Sequence, residues 1–152
     1  MKKLKKIFSL VVAGMLVLGT CGCQVFSRED RAGQEYYNNL KKEVAEYETA
    51  SEKFSNEISK QTKNANTIAD TLIKESEDII NIDTPEAYVN VQNYYVDIAT
   101  YSKQMAETYK KYVAEKDKLK KINYMEDIKE ISQKRDEVIT KLQNLQKSVK
   151  EK

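Results

Sequence analysis

Two residues of the 152-residue chain carry a thiol, Cys21 and Cys23, side by side with Gly22 in the stretch LVLGTCGCQ. Thiols can pair, bind metal or be modified. A disulfide across one intervening residue closes a tiny, strained ring. A metal clip needs two further ligands, and the chain has no histidine and no third cysteine. Covalent modification of one thiol is the chemistry that remains. Without histidine, the usual general base, the Ser-His-Asp and Cys-His constellations and most zinc or di-iron sites are also missing. The carboxylates Glu75, Glu77 and Asp78, and Glu126, Asp127 and Glu130, have the composition of a glycosidase pair or a calcium site. They lie in helical stretches dense with lysine, the pattern of a solvated helix face. No catalytic residue, cofactor site or metal site emerges, and the chain reads as a non-enzyme.

The surroundings of the cysteines say which modification to expect. Met1–Lys6 is MKKLKK, and Ile7–Leu18 is a dozen residues without a charge, followed by the small residues Gly19, Thr20 and Gly22. A basic segment, a short apolar run and small residues make an export signal. The run is shorter than the about 20 residues of a membrane span. With a cysteine at the cleavage point, the leader resembles a bacterial lipoprotein signal, the lipobox, whose cysteine receives diacylglycerol. That resemblance implies a signal peptide over residues 1–22, lipidation at Cys23 and a flexible tether over 23–33. Cys21 is the alternative: it has Leu18 at −3 but the β-branched Thr20 at −1, whereas Cys23 has Gly22 at −1. Two acyl chains make anchoring stable. The expected location is the outer face of the cytoplasmic membrane.

Removing the leader changes the charge. Its first 22 residues hold four lysines and no acid, leaving 22 basic against 24 acidic residues. A near-neutral domain argues against nucleic-acid binding, which needs a concentrated basic surface. All four glycines lie at or before position 33, and Pro85 is the one proline. So long a glycine-free stretch excludes a P-loop, a dinucleotide-binding turn or an EF-hand loop, and it lacks the turn residues of hairpins. The fold class expected is all-α.

A 3-4 spacing runs from Tyr37 through Leu40, Val44, Tyr47, Ser51, Phe54, Ile58, Gln61, Ala65, Ile68, Leu72 and Glu75 to Ile79. It is coiled-coil-like, thinned by its polar members, and predicts one long helix over 34–81. IDTPE ends it, with Thr84 as the next cap, Pro85 at the first helical position and Glu86 in the first turn. A second helix over 85–122 carries Val91, Ile98, Met105, Tyr112 and Leu119 at intervals of seven. Its flanking columns are partly apolar, a stripe wide enough for two partners. A third helix over 124–150 follows Asn123 as N-cap, with Glu126 completing a capping-box-like pair and a stripe of Ile128, Ile131, Arg135, Val138, Leu142, Leu145 and Val149. The expected architecture is a long antiparallel hairpin plus a third helix, a three-helix bundle over 34–152. No Gly or Pro enforces the turn at Asn123, so a continuous helix offering its second face to another molecule is the alternative.

Two features hint at contacts. Seven of ten tyrosines lie between Tyr88 and Tyr124. If Tyr94, Tyr95, Tyr101 and Tyr109 face outward they form a platform for glycan or a partner helix; otherwise they fill the core with hydroxyls at its rim. Lys116, Lys118, Lys120 and Lys121 are the densest basic cluster past the leader. In an antiparallel hairpin they return toward the membrane, where anionic lipid attracts them; the plainer reading is that lysines suit the C-terminus of helix two. The whole resembles the small all-helical lipoproteins of Gram-positive bacteria, some described as cell-wall-binding and many of unknown function. That resemblance implies a membrane-anchored binding or spacer module meeting peptidoglycan, another cell-wall polymer or an envelope protein. The alternative is a structural coiled-coil lipoprotein that self-associates as a homo-oligomer through the long seam of helix one.

Overall fold

The computed structural model describes residues 31–60 and 62–150, with the side chains of the last two left out. Cys21, Cys23, the leader, Gln61 and the side chain of Val149 therefore lie outside the described residues. These form four α-helices: α1 (Arg31–Lys60), α2 (Ala65–Ile80), α3 (Val89–Ala114) and α4 (Lys118–Lys150). A 3-10 turn, Glu86–Tyr88, leads into α3. No strand occurs among the described residues, and no helix there is long and apolar enough to cross a membrane.

The helix expected over 34–81 is broken in its middle. Glu57, only 2% exposed, turns its carboxylate onto the start of the connection. It accepts the Thr62 amide at 2.5 Å and the Thr62 hydroxyl at 2.5 Å. The Thr62 hydroxyl in turn accepts the Asn64 amide at 3.2 Å. These bonds satisfy amides that a continuous helix would have paired with carbonyls, so the chain reverses without glycine or proline. α2 then restarts with the Ile68 amide donating to the Asn64 carbonyl.

At IDTPE the expected boundary is present, with a different cap. The Thr84 hydroxyl donates back to the Ile82 carbonyl, and Pro85 precedes the 3-10 turn with φ −59°. The third reversal also moves. α3 ends at Ala114 and not at 122, and Asp117, not Asn123, caps the next helix. The Asp117 Oδ1 accepts the amides of Leu119 at 2.8 Å and Lys120 at 3.2 Å, the bonds expected of an N-cap carboxylate. α4 passes through Asn123 unbroken.

Cross-helix contacts fix the directions. Tyr36 meets Gln92, Tyr47 meets Ser102 and Phe54 meets Tyr109; both series ascend together, so α1 and α3 are parallel. The Ile79 carbonyl meets Gln92 and Glu77 meets Lys103, and Asp70 pairs with Lys110, so α2 is antiparallel to α3. The three-residue link from α3 to α4 sends α4 back along α3. The chain thus runs up, down, up, down. One end of the bundle, the base, holds Arg31 and the link between α2 and α3. The other, the tip, holds the 61–64 and 115–117 links.

The core takes Leu40, Phe54 and Ile58 from α1, Leu72 and Ile79 from α2, Ile98 and Met105 from α3, and Ile128 and Leu142 from α4, each at most 3% exposed. Side chains of this kind contribute about 1.5–3 kcal/mol each on full burial. The buried cluster runs from Tyr36 to Leu142, so residues 31–150 carry their own core. Polar groups thread through it: Ser51, Ser76, Ser102 and Arg135 are each 0% exposed. The Arg135 guanidinium is held by the Asp136 carboxylate at 2.8 and 3.1 Å. At the base, Gln92 joins three helices, accepting the Tyr36 hydroxyl at 2.7 Å and donating to the Ile79 carbonyl at 2.9 Å.

Candidate functional site

The basic cluster sits where the macrodipole disfavours it. Lys118, Lys120 and Lys121 occupy the first turn of α4, which contains no acidic residue, and Lys116 lies in the link before it. The N-terminus of a helix carries partial positive charge, so lysines there are repelled. The expectation that they suit the C-terminus of helix two fails because that helix ends earlier. Nearby acids are tied to backbone. Glu115 accepts the amides of Lys116 and Asp117. Those bonds, the one to Asp117 foremost and then that to Lys116, hold its carboxyl below the usual carboxylate range. Asp117 caps α4. Lys121 lies over the Tyr112 ring at 4.9 Å, while Lys116, Lys118 and Lys120 are exposed.

The neighbouring reversal adds to this charge. Exposed Lys60 ends α1, exposed Lys63 lies within the 61–64 link, and exposed Lys111 lies in the last turn of α3. Sequence reasoning missed this grouping because Lys60 and Lys63 lie far from Lys111 and Lys116 in the chain and the 61–64 reversal was not expected. That reversal also changes which end the cluster occupies. A single long first helix would have sent helix two back toward Arg31. With α1 and α2 forming a hairpin, α3 rises parallel to α1 and carries the lysines to the end opposite Arg31. α1 has 30 residues, so that separation is about 45 Å at 1.5 Å per residue.

Apolar side chains are exposed at the same end. Among the described residues four large hydrophobics are exposed, and three are at the tip: Val113 at 37%, Leu119 at 73% and Ile122 at 54%. Leu119 was expected to continue the stripe of helix two. With the break at 115–117 it falls in the first turn of α4 instead, beyond the reach of the core.

The tyrosines do not make an outward platform. Tyr95 and Tyr109 are buried at 3% and 1% exposure, and Tyr94 and Tyr101 are half-buried. Burial has a physical cause: α1 meets α3 and the turn before it through rings. Tyr36 stacks on Tyr88 with centroids 5.3 Å apart, Phe54 meets Tyr109 edge-on at 5.4 Å, and Tyr109 stacks on Tyr112 at 5.7 Å. Burial pushes the Tyr36 and Tyr109 hydroxyls well above the usual tyrosine range, reinforced by Tyr95 for the first and Glu57 for the second.

Carboxylates gather on one seam between α1 and α2. Oxygens of Glu43, Glu75 and Asp78 lie within 4.8 Å of one another, a donor set suited to a hard cation. Lysines already supply countercharge there: Lys42 Nζ is 2.9 Å from Glu43, and Lys74 Nζ is 3.1 Å from Glu75 and 2.7 Å from Asp78. Glu77, grouped with Glu75 and Asp78 in the sequence, instead reaches across to Lys103 at 2.7 Å. Glu130 pairs with Lys134 at 2.7 Å along α4, and Glu126 and Asp127 are exposed. A shallow groove of about 380 Å³ beside the α1–α2 seam is lined by Ala45, Glu46, Thr49, Ala50, Lys53, Thr71 and Glu75. The tip thus stands apart from the rest of the described bundle in combining a net-positive cluster, its lysines outnumbering Glu115 and Asp117, with exposed apolar side chains. No protein-family model, curated protein or solved structure matches the chain.

Proposed function

We propose that this chain is an envelope lipoprotein: a diacylglycerol on Cys23, or on Cys21, holds it at the outer face of the cytoplasmic membrane. The helical bundle is a spacer that presents a basic tip to an anionic partner, a cell-wall polymer or an acidic envelope protein. The observation that carries this reading is the lysine cluster in the first turn of α4, at the end opposite Arg31. Charge that works against its own helix there is explained by a partner that neutralises it.

Residues 24–152, mixed with washed cell-wall sacculi, are expected to pellet. The pelleted fraction should fall when teichoic acid is stripped, when salt is raised, and in Lys116→Gln/Lys118→Gln/Lys120→Gln. Equal pelleting by the triple variant would sink the role of the tip. No pelleting at all would turn the search to protein partners, by crosslinking on intact cells.

Self-association through the α1 seam has less support. Leu40, Val44, Tyr47, Ser51, Phe54 and Ile58 are buried within the chain, which leaves them nothing to offer a second copy. A monomer at micromolar concentration in sedimentation is the expected result.

A further inference from the structure

We infer that the tip is a bilayer-contact element: Leu119 and Ile122 enter the surface of an anionic lipid membrane while the surrounding lysines meet its phosphates. This goes beyond the anionic-partner reading and rests on it for the role of the lysines. Leu119 and Ile122 are three residues apart on a helix, so they share one face. They are 73% and 54% exposed, and Val113 adds a third aliphatic group across the 115–117 link. A water-soluble polyanion gives such groups nothing to bury against; hydrocarbon does.

The charge around them has the matching sign. Lys118, Lys120 and Lys121 interleave with Leu119 and Ile122, and Lys60, Lys63, Lys111 and Lys116 stand at the same end. Long lysine stems let aliphatic neighbours sink while the ammonium groups stay at phosphate level. A protein partner fits less well. The apolar part of the tip amounts to three partly exposed aliphatic side chains, too few to form the apolar centre of a stable protein interface.

In the upright bundle the tip faces away from an anchor at Cys23. Residues 24–30 span at most about 25 Å when extended, so contact with the anchoring bilayer requires the bundle to lie along it.

Vesicle sedimentation tests the proposal. Residues 24–152 should pellet with phosphatidylglycerol/phosphatidylcholine vesicles and not with phosphatidylcholine alone. Leu119→Ser/Ile122→Ser should lower partitioning roughly tenfold or more, with helicity by circular dichroism unchanged because both positions are exposed. The chain has no tryptophan, so Leu119→Trp supplies a single reporter whose emission should shift to the blue on adding anionic vesicles. No vesicle binding by the wild type, equal binding by the serine variant, or an unshifted emission from the Leu119→Trp variant would each overturn the proposal. Sacculus pelleting separates the two readings. If the serine variant keeps vesicle binding while the triple lysine variant loses sacculus pelleting, the polymer reading stands alone; if the triple lysine variant keeps both activities, both readings fall.

Discussion

The hydroxyls of Tyr47 and Ser102 meet at 2.6 Å, 55 residues apart in sequence and buried at 3% and 0% exposure. Tyr36 with Gln92 and Phe54 with Tyr109 repeat nearly the same offset, so this pair marks the register in which α1 lies parallel to α3. Tyr47→Phe is expected to cost about 1–2 kcal/mol, the cost of leaving a buried hydroxyl without its partner. Ser102→Ala added to it should cost little more. Urea unfolding of both single variants and the double variant checks this coupling.

Gly33 is the one glycine among the described residues, and its reason lies across the bundle. A Cβ there would meet the Tyr88 hydroxyl and come within 2.9 Å of Tyr88 Cζ and 3.0 Å of Cε2. The ring is already held against Tyr36, so Gly33→Ala should push it out and destabilise by about 1–3 kcal/mol. In a Tyr88→Ala background the same change should be neutral or stabilising, since alanine is the better helix former. Thermal unfolding of the four proteins decides it.

Alkali should unfold the bundle early. The folded state holds the Tyr36 and Tyr109 protons more tightly than the unfolded chain, whose tyrosines titrate near 10.0. A raised folded pKa gives stability that is fully present below the unfolded pKa and is lost as pH rises through the folded one. The denaturation midpoint should therefore fall as pH is taken above about 10, and fall less in Tyr36→Phe/Tyr109→Phe. Absorbance near the tyrosinate maximum, followed with circular dichroism, should show part of the titration appearing only on unfolding.

At the first reversal, Glu57→Ala removes the acceptor for both the Thr62 amide and hydroxyl. A cost of about 2–3 kcal/mol is expected, in keeping with loss of charge-assisted hydrogen bonds. Glu57→Gln, which keeps an acceptor oxygen, should lose less. Amide exchange at Thr62 and Asn64 should quicken in the alanine variant before global unfolding does.

Much of this architecture is legible in the sequence, and the failures have physical causes. The 3-4 spacing identifies Leu40, Val44, Tyr47, Ser51, Phe54 and Ile58 as buried because one apolar stripe per helix is all a bundle needs. The same spacing carries on numerically from Ile58 through Ala65 to Leu72, so periodicity alone hides the reversal between Ile58 and Ala65. The signal available was the polar run KQTKNAN, Lys60–Asn66, but the bonds that break the helix come from Glu57, a residue in its last turn. At the third reversal Asn123 and Asp117 are both good caps. Asp117 prevails because its carboxylate reaches two amides while Leu119 and Ile122 are left outside. A cap at Asn123 would have kept Leu119 and Ile122 on the stripes of the second helix, which is why the pattern of spacing does not reveal the tip.

The parallel course of α1 and α3 also governs how the bundle bears load. Were the proposed lipid anchor and the proposed grip at residues 115–122 both loaded, tension would pull α1 from its first turn and α3 from its last in opposite directions. The two helices would be drawn past each other along their axes. The contacts of α2 with both helices, together with the rings and hydroxyls that join α1 to α3 directly, would then be strained together, not peeled one after another as they would be if both ends of the load lay at one pole. A link built this way resists extension through its whole length at once.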